Sequence, residues 1–298
     1  MTARNEGQLH PKFLVETDWL EQHLDEPDLR VFDCTVNARL NPEPGSKFPF
    51  TFESGRAGFD DGHIPGAGFL DLLGDLSDTS SQFPFMMPSE QQFVSAMGRA
   101  GVGEGTRVVL YGTAEPIWAA RVWWMLHSVG FDTAVVLNGG WAKWTAEERP
   151  ISREACIYPP GRFTAWARRD CFVGKREVIA AIGKNFVRAV NALPPMVYSG
   201  TGGPVFGRKG RIAGSVNVPF GSLHDPDTGA YLPADRLRAI FDAVDAGDAE
   251  QIIAYCGSGI AASNAAFVLA LLGYDNVAVY DASMAEWGND ETLPMEQG

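Results

Sequence analysis

Cysteine is scarce in this 298-residue chain: four residues (Cys34, Cys156, Cys171 and Cys256), widely scattered. The scatter excludes a disulfide framework and metal-type spacing, and it suggests a reducing, cytoplasmic setting. Long apolar runs are also missing, since none approaches the about 20 residues of a membrane span. The segment Met1-Thr2-Ala3-Arg4-Asn5-Glu6-Gly7 has no signal-peptide apolar region. Positive charge is in deficit: 24 Lys and Arg against 37 Asp and Glu leave a net charge of −13. That balance argues against nucleic acid or an anionic membrane as a partner. It also means that a small anionic substrate would need local cations working against the global field. The chain does have 45% apolar residues and enough length for two ordinary domains, each with its own core.

The most informative stretch is Gln251-Ile252-Ile253-Ala254-Tyr255-Cys256-Gly257-Ser258-Gly259. A short apolar run reads as a strand and stops at a cysteine; two glycines come next, then an alanine-rich helix pattern to Leu272. A cysteine there faces free backbone N–H groups and the positive end of a helix dipole, an effect of about 0.3–1 kcal/mol. Glycines let the backbone wrap closely around an anionic sulfur. An isolated strand-end cysteine is more often packing, but the adjoining Gly-Ser-Gly points to a thiolate nucleophile.

The chain repeats itself. Arg107–Gly112 precedes Gln251–Cys256 by 144 positions, and Leu137–Trp144 precedes Tyr280–Trp287 by 143. Gly130-Phe131-Asp132 matches Gly273-Tyr274-Asp275, Gly62–Ala67 matches Gly210–Ser215, and Leu29–Asp33 matches Phe186–Asn191. Short β-branched runs alternate with helical patterns, with Thr17 and Ser89 as helix N-caps. This predicts an α/β fold of two tandem units, each a mostly parallel sheet covered by helices. The units are expected over 1–148 and 169–298, joined by a proline-bearing linker over 149–168. Ligands in such sheets bind beyond the carboxyl ends of strands, where Cys256 falls. The first unit has Gly112 in the matching place, so only the second is expected to be catalytic.

These motifs resemble the rhodanese superfamily, and within it the two-domain sulfurtransferases acting on 3-mercaptopyruvate or thiosulfate. The resemblance spans nearly the whole chain. It rests on Gly62-His63-Ile64-Pro65-Gly66-Ala67, Arg121-Val122-Trp123-Trp124-Met125, Asn138-Gly139-Gly140-Trp141, Cys256-Gly257-Ser258-Gly259 and Glu286-Trp287-Gly288. It implies rhodanese-like domains, an inactive first one, and a Cys256 persulfide that carries sulfur from a small donor to cyanide, a small thiol or a thioredoxin-like protein. It implies no metal or organic cofactor. The neutral loop leans toward a 3-mercaptopyruvate-like donor, with thiosulfate next. Ser258 and His63 are the expected proton-handling pair, with Asp60 or Asp61 behind the histidine. Gly257, Gly259, Ile260 and Ala261 are expected to line the substrate.

One departure stands out. The resemblance implies two substrate-binding arginines where this chain has Leu193 and Val197. A lost charged hydrogen bond costs about 1.5–3 kcal/mol, so the expectation is that Arg208, Lys209 or Arg211 swings in, that the donor carries less charge near that wall, or that a protein partner supplies the sulfur. The alternative reading is a non-catalytic or persulfide-relay module that binds a protein partner. A phosphatase-like reading fails, because the position six after the cysteine is Ala262 and not an arginine.

Overall fold

In a computed structural model of the chain, residues 12–41, 48–113, 115–154, 156–168 and 170–298 are described. The first unit carries β1 (Leu14–Val15), β2 (Leu29–Asp33), β3 (Val36–Leu40), β4 (Phe50–Ser54), β5 (Gly68–Phe69), β6 (Arg107–Tyr111) and β7 (Ala134–Leu137). The second carries β8 (Phe172–Val173), β9 (Val187–Asn191), β10 (Arg211–Ile212), β11 (Val216–Asn217), β12 (Gln251–Tyr255), β13 (Val277–Tyr280) and β14 (Met295–Glu296). The two main sheets have the orders β1-β7-β6-β2-β5 and β8-β13-β12-β9-β11, and every pairing within them is parallel. Strand for strand, one unit reproduces the other. The central strands β6 and β12 read Arg-Val-Val-Leu-Tyr and Gln-Ile-Ile-Ala-Tyr, with four of five residues buried in each. Such unbroken apolar runs are expected of strands covered by helices on both faces.

The repeat extends to register. Asp33 pairs with Tyr111 in the first unit as Asn191 pairs with Tyr255 in the second. The residue after each tyrosine accepts a hydrogen bond from a matching amide: Trp141 N to Gly112 O at 3.1 Å, and Met284 N to Cys256 O at 3.0 Å.

The helices Ile117–Ser128 and Ile260–Leu271, which come after β6 and β12, are buried almost throughout and pack on one another. A helix apolar on all sides belongs in a core. Here it is the core between the units, where the rings of Trp123 and Phe267 meet at 4.8 Å. The antiparallel hairpin β3–β4 lays Phe48 and Phe50 against Phe206 of the second unit, while Phe52 meets Phe85 of the first at 4.6 Å.

Of the two expected caps, Ser89 acts as one, accepting from Gln92 N at 3.2 Å. Thr17 does not: Glu16 holds the cap position, and the Thr17 hydroxyl is drawn to the Glu147 carboxylate at 2.5 Å.

Candidate active site

Cys256 directly succeeds β12 and is 2% exposed. Gly259 caps the next helix at φ 79°, and a Cβ there would lie 2.7 Å from the Asp281 carbonyl oxygen, so glycine is required twice over. The loop is tied down on its carbonyl side: Met284 N donates to Cys256 O, and Ala285 N to Gly257 O at 2.9 Å. The Cys256 N–H donates to Ser283 Oγ at 3.0 Å. The next six N–H groups, from Gly257 to Ala262, donate to no acceptor among the described residues. A row of uncommitted donors beside a sulfur, at a helix N-terminus, is a cradle for a sulfur anion.

Ser258 is 7% exposed, and its hydroxyl makes no hydrogen bond to a described residue, which leaves it available to a donor. Ile260 and Ala261, at 5% and 7% exposed, form the first helical turn beside the loop.

His63 does not join this group. Its ring stacks on Phe59 at 3.9 Å, Nδ1 lies 2.7 Å from Phe59 O, and Nε2 lies 3.0 Å from Glu154 O. It is buried at the amino end of β5 within the first unit's own core, and its backbone bridges to Ser152. Two carbonyls hold the imidazole in a structural turn, so the expected Ser258–His63 pair is not formed. Asp60, proposed to stand behind it, pairs with Arg56 at 2.7 Å instead.

Neither expected arginine is free. Arg208 donates to the carbonyls of Trp287, Gly288, Asp290 and Leu293 at 2.5–3.3 Å, clamping its own loop to the segment after the last helix. Arg211 donates to Gly298 O at 2.6 Å, faces Glu296 at 3.5 Å and lies over the Tyr198 ring. Both are spent on backbone and partner groups, and neither serves as a substrate cation.

On one side the loop is covered by an aromatic ring. The Phe206 ring rests on Gly257, where an added Cβ would come within 2.4 Å of it. Leu193, Val197, Phe206 and Met284, together with Arg208 and Lys209, line a cavity of about 10 Å³, room for about one water. Behind the loop, Arg121 of the first unit meets Asp281 of the second at 2.7 Å with both fully or nearly buried, an ionic contact off the hydrogen-bond direction. Arg121 also donates to Phe85 O at 2.5 Å, and Asp281 accepts from Met87 N at 2.7 Å.

Sequence reasoning missed Phe206, Met284, Ser283 and the role of Arg121. Ser283 carried a signal: it occupies the repeat position of Gly140, and both hold φ near 50°. A serine where the other copy has glycine marks a backbone held in the left-handed region for a purpose, here to present its hydroxyl to Cys256 N.

Burial pushes Cys34 well up, and pushes Cys171 to about 11. No group of three or more His, Cys, Asp or Glu able to hold a metal ion occurs among the described residues.

The family model for the rhodanese-like domain matches residues 16–147 and again 176–290. The chain belongs to the rhodanese family. It is 33% identical to the sulfur carrier protein TtuD of Thermus thermophilus, over 98% of this chain and 99% of that protein. It is 32% identical to the 3-mercaptopyruvate sulfurtransferase of Escherichia coli, over 95% and 98% of the two chains. The thiosulfate sulfurtransferase of Rattus norvegicus is likewise 32% identical, over 92% and 91%. Among solved structures, the Escherichia coli 3-mercaptopyruvate sulfurtransferase SseA superposes with a TM-score of 0.76 at 30% identity, covering 91% of this chain and 98% of that one. Two rhodanese domains with this strand order therefore account for the fold.

Proposed function

We propose that this rhodanese-family protein is a sulfurtransferase that moves one sulfur atom from a small donor, through a persulfide on Cys256, to cyanide or a thiol acceptor. The observation that carries this reading is Cys256 at the carboxyl end of β12, ahead of six uncommitted N–H groups from Gly257 to Ala262. In the first half-reaction the Cys256 thiolate attacks the donor's transferable sulfur. The S–S bond of thiosulfate, or the C–S bond of 3-mercaptopyruvate, breaks, releasing sulfite or pyruvate. In the latter case the thiol proton ends on the pyruvate methyl, and the Ser258 hydroxyl, adjacent and unbonded, is the group placed to guide it. The loop N–H groups hold the persulfide anion until an acceptor takes the outer sulfur and restores the thiolate. Loop composition favours 3-mercaptopyruvate over thiosulfate, whose second charge would meet no cation there. The relatives named for these two donors support the class of reaction.

A second reading, a persulfide relay between proteins, is favoured by the apolar wall at Leu193 and Val197 and by the full commitment of Arg208 and Arg211. A relative named as a sulfur carrier is consistent with it. A thioredoxin-like acceptor and a cytoplasmic location belong to the same proposal; no helix among the described residues is long and apolar enough to cross a membrane.

The test is steady-state sulfur transfer to cyanide from 3-mercaptopyruvate and from thiosulfate, with Cys256→Ser as control. Turnover lost in the variant supports the enzyme. Absence of turnover with both donors, in folded protein that accepts sulfur from a partner persulfide, transfers the assignment to the relay.

A further inference from the structure

The second strand of each unit carries an arginine at the same repeat position, Arg30 on β2 and Arg188 on β9, as the shared register of the two sheets fixes. In the first unit Arg30 is fully engaged. Its guanidinium lies 4.6 Å over the Tyr158 ring, Nε donates to Gly101 O at 3.1 Å, and Nη1 donates to Pro27 O and Leu29 O. The phenol beneath it is held at both ends of its hydroxyl. Val31 N donates to Tyr158 Oη at 3.0 Å, and Oη donates to Gly66 O at 2.6 Å. A tyrosine on the segment that follows the first unit thus fills a notch between β2 and the turn at Gly66.

The second unit has the notch without the tyrosine. Ala189 stands in the place of Val31, and Gly214 in that of Gly66, with φ of 73° and 77° at the two glycines. Arg188, Ala189, Ala213 and Gly214, together with Lys184 and Ile182, line a cavity of about 270 Å³. Arg188 Nε is buried with no hydrogen-bond partner, and Gly214 O accepts from no described residue. Unsatisfied buried donors are costly, so such a cavity favours an occupant that brings acceptors. The charge around it is also open. Lys184 takes the position of Glu26, no carboxylate lines the cavity, and neither Lys184 nor Arg188 pairs with a described acid.

We infer that this notch is a docking site for an extended, acidic segment of another protein, which inserts a tyrosine beneath Arg188. The ring would lie under the guanidinium as Tyr158 lies under Arg30. Its hydroxyl would accept from Ala189 N and donate to Gly214 O, as Tyr158 does with Val31 and Gly66. Acidic groups on the segment would meet Lys184. The notch lies at the amino end of β9, at the other end of the parallel sheet from Cys256, so the inference stands apart from the sulfur-transfer reading.

The experiment titrates the isotope-labelled full chain with a short capped peptide and follows the backbone amides by NMR. The peptide carries the sequence of residues 156–160 with Cys156→Asp, the stretch whose tyrosine fills the first unit's notch. The expected result is saturable binding with a Kd below about 1 mM, with the Ala189 and Gly214 amides among those that shift. Tyrosine to phenylalanine in the peptide removes two hydrogen bonds and should weaken binding at least about fivefold, and tyrosine to alanine should abolish it. Arg188→Gln in the protein should weaken the parent peptide by a similar factor. No saturable shift up to about 10 mM overturns the inference. So does equal binding of the phenylalanine peptide, which the peptide series decides whether or not the Arg188 variant folds. Unchanged affinity in folded Arg188→Gln overturns it as well. Acetyltyrosinamide binding as tightly as the peptide would make the notch a small-phenol site and refute the docked segment. Movement of the same amides on raising the concentration of the protein alone would replace the foreign segment with a second copy of this chain.

Discussion

The two units share a sheet order, a register and a hydrogen bond behind the loop, yet only the second has a cysteine after its central strand. The difference is confined to the loop after the tyrosine that ends each central strand. In the second unit Cys256 opens a loop whose N–H groups stay free. In the first, Gly112 leads to Thr113, whose N–H is already spent on Thr35 Oγ at 2.9 Å, and a Cβ at Gly112 would sit 3.0 Å from Glu115 O. The first unit contributes to the second instead, through Arg121, the 85–87 segment and the phenylalanine hairpin. Duplication here has separated chemistry from support, and that separation can be tested.

The largest effect should come from removing the nucleophile. Cys256→Ser is expected to abolish persulfide formation outright, measured as loss of the sulfur adduct on the intact protein. Adding Gly112→Cys to that variant should not restore it, because the new Cβ crowds Glu115 O and the Thr113 N–H is already spent on Thr35 Oγ. Recovery of an adduct on residue 112 would show that the units are interchangeable after all.

Next in size is the bolt between the units. Arg121→Met leaves the Asp281 carboxylate buried without its cation, and removing one partner of a buried pair costs about 3–5 kcal/mol. The urea midpoint should fall accordingly, and Arg121→Met with Asp281→Leu should recover much of the loss. A single variant as stable as the wild type would mean that the first unit does not brace the second.

Much of this division could be read from the chain, and the failures have a common cause. The duplicated blocks at spacings of 143 and 144 gave the two sheets and placed Cys256 at a strand end, because strand-to-helix turns are written locally in glycines and apolar periodicity. His63, Arg208 and Arg211 were misplaced because residue type says nothing of which acceptors are near. Each is polar, lies in a motif, and is consumed by main-chain carbonyls far away in sequence. Phe206 was invisible for the converse reason. Nothing in Pro204-Val205-Phe206-Gly207 signals that its ring lands on Gly257; only the pairing of Gly207 with Gly288 does that.

That close approach predicts a smaller, more local effect. Gly257→Ala pushes a methyl into the Phe206 ring, and overpacking of this kind costs about 1–3 kcal/mol. The double variant with Phe206→Ala should be less destabilised than the sum of the two singles, a coupling read from thermal unfolding of the four proteins. Additive values would separate the ring from the loop.

The smallest predicted change probes the supporting unit alone. Asp33 occupies the position of Asn191 and accepts from Thr35 N and Oγ through Oδ1, while Oδ2 is buried with no partner. Burial raises its carboxyl from 3.8 to about 6, against the opposing pull of the Thr35 hydrogen bonds and the neighbouring His63. The folded state therefore binds this proton more tightly than the unfolded chain. Below pH 3.8 both states are protonated; between there and about 6 stability falls as pH rises, to a ceiling of about 3 kcal/mol for a shift of two pH units. Asp33→Asn removes the titration but leaves an amide nitrogen as unpaired as that of Asn191, which offsets part of the gain. The variant should thus be about 1 kcal/mol more stable than the wild type at pH 7, and lose that advantage as the pH drops below about 5. Denaturant melts at the two pH values decide it. An advantage independent of pH would mean that Asp33 is ionised without penalty, and that the two strand-end positions are equivalent in charge tolerance as well as in register.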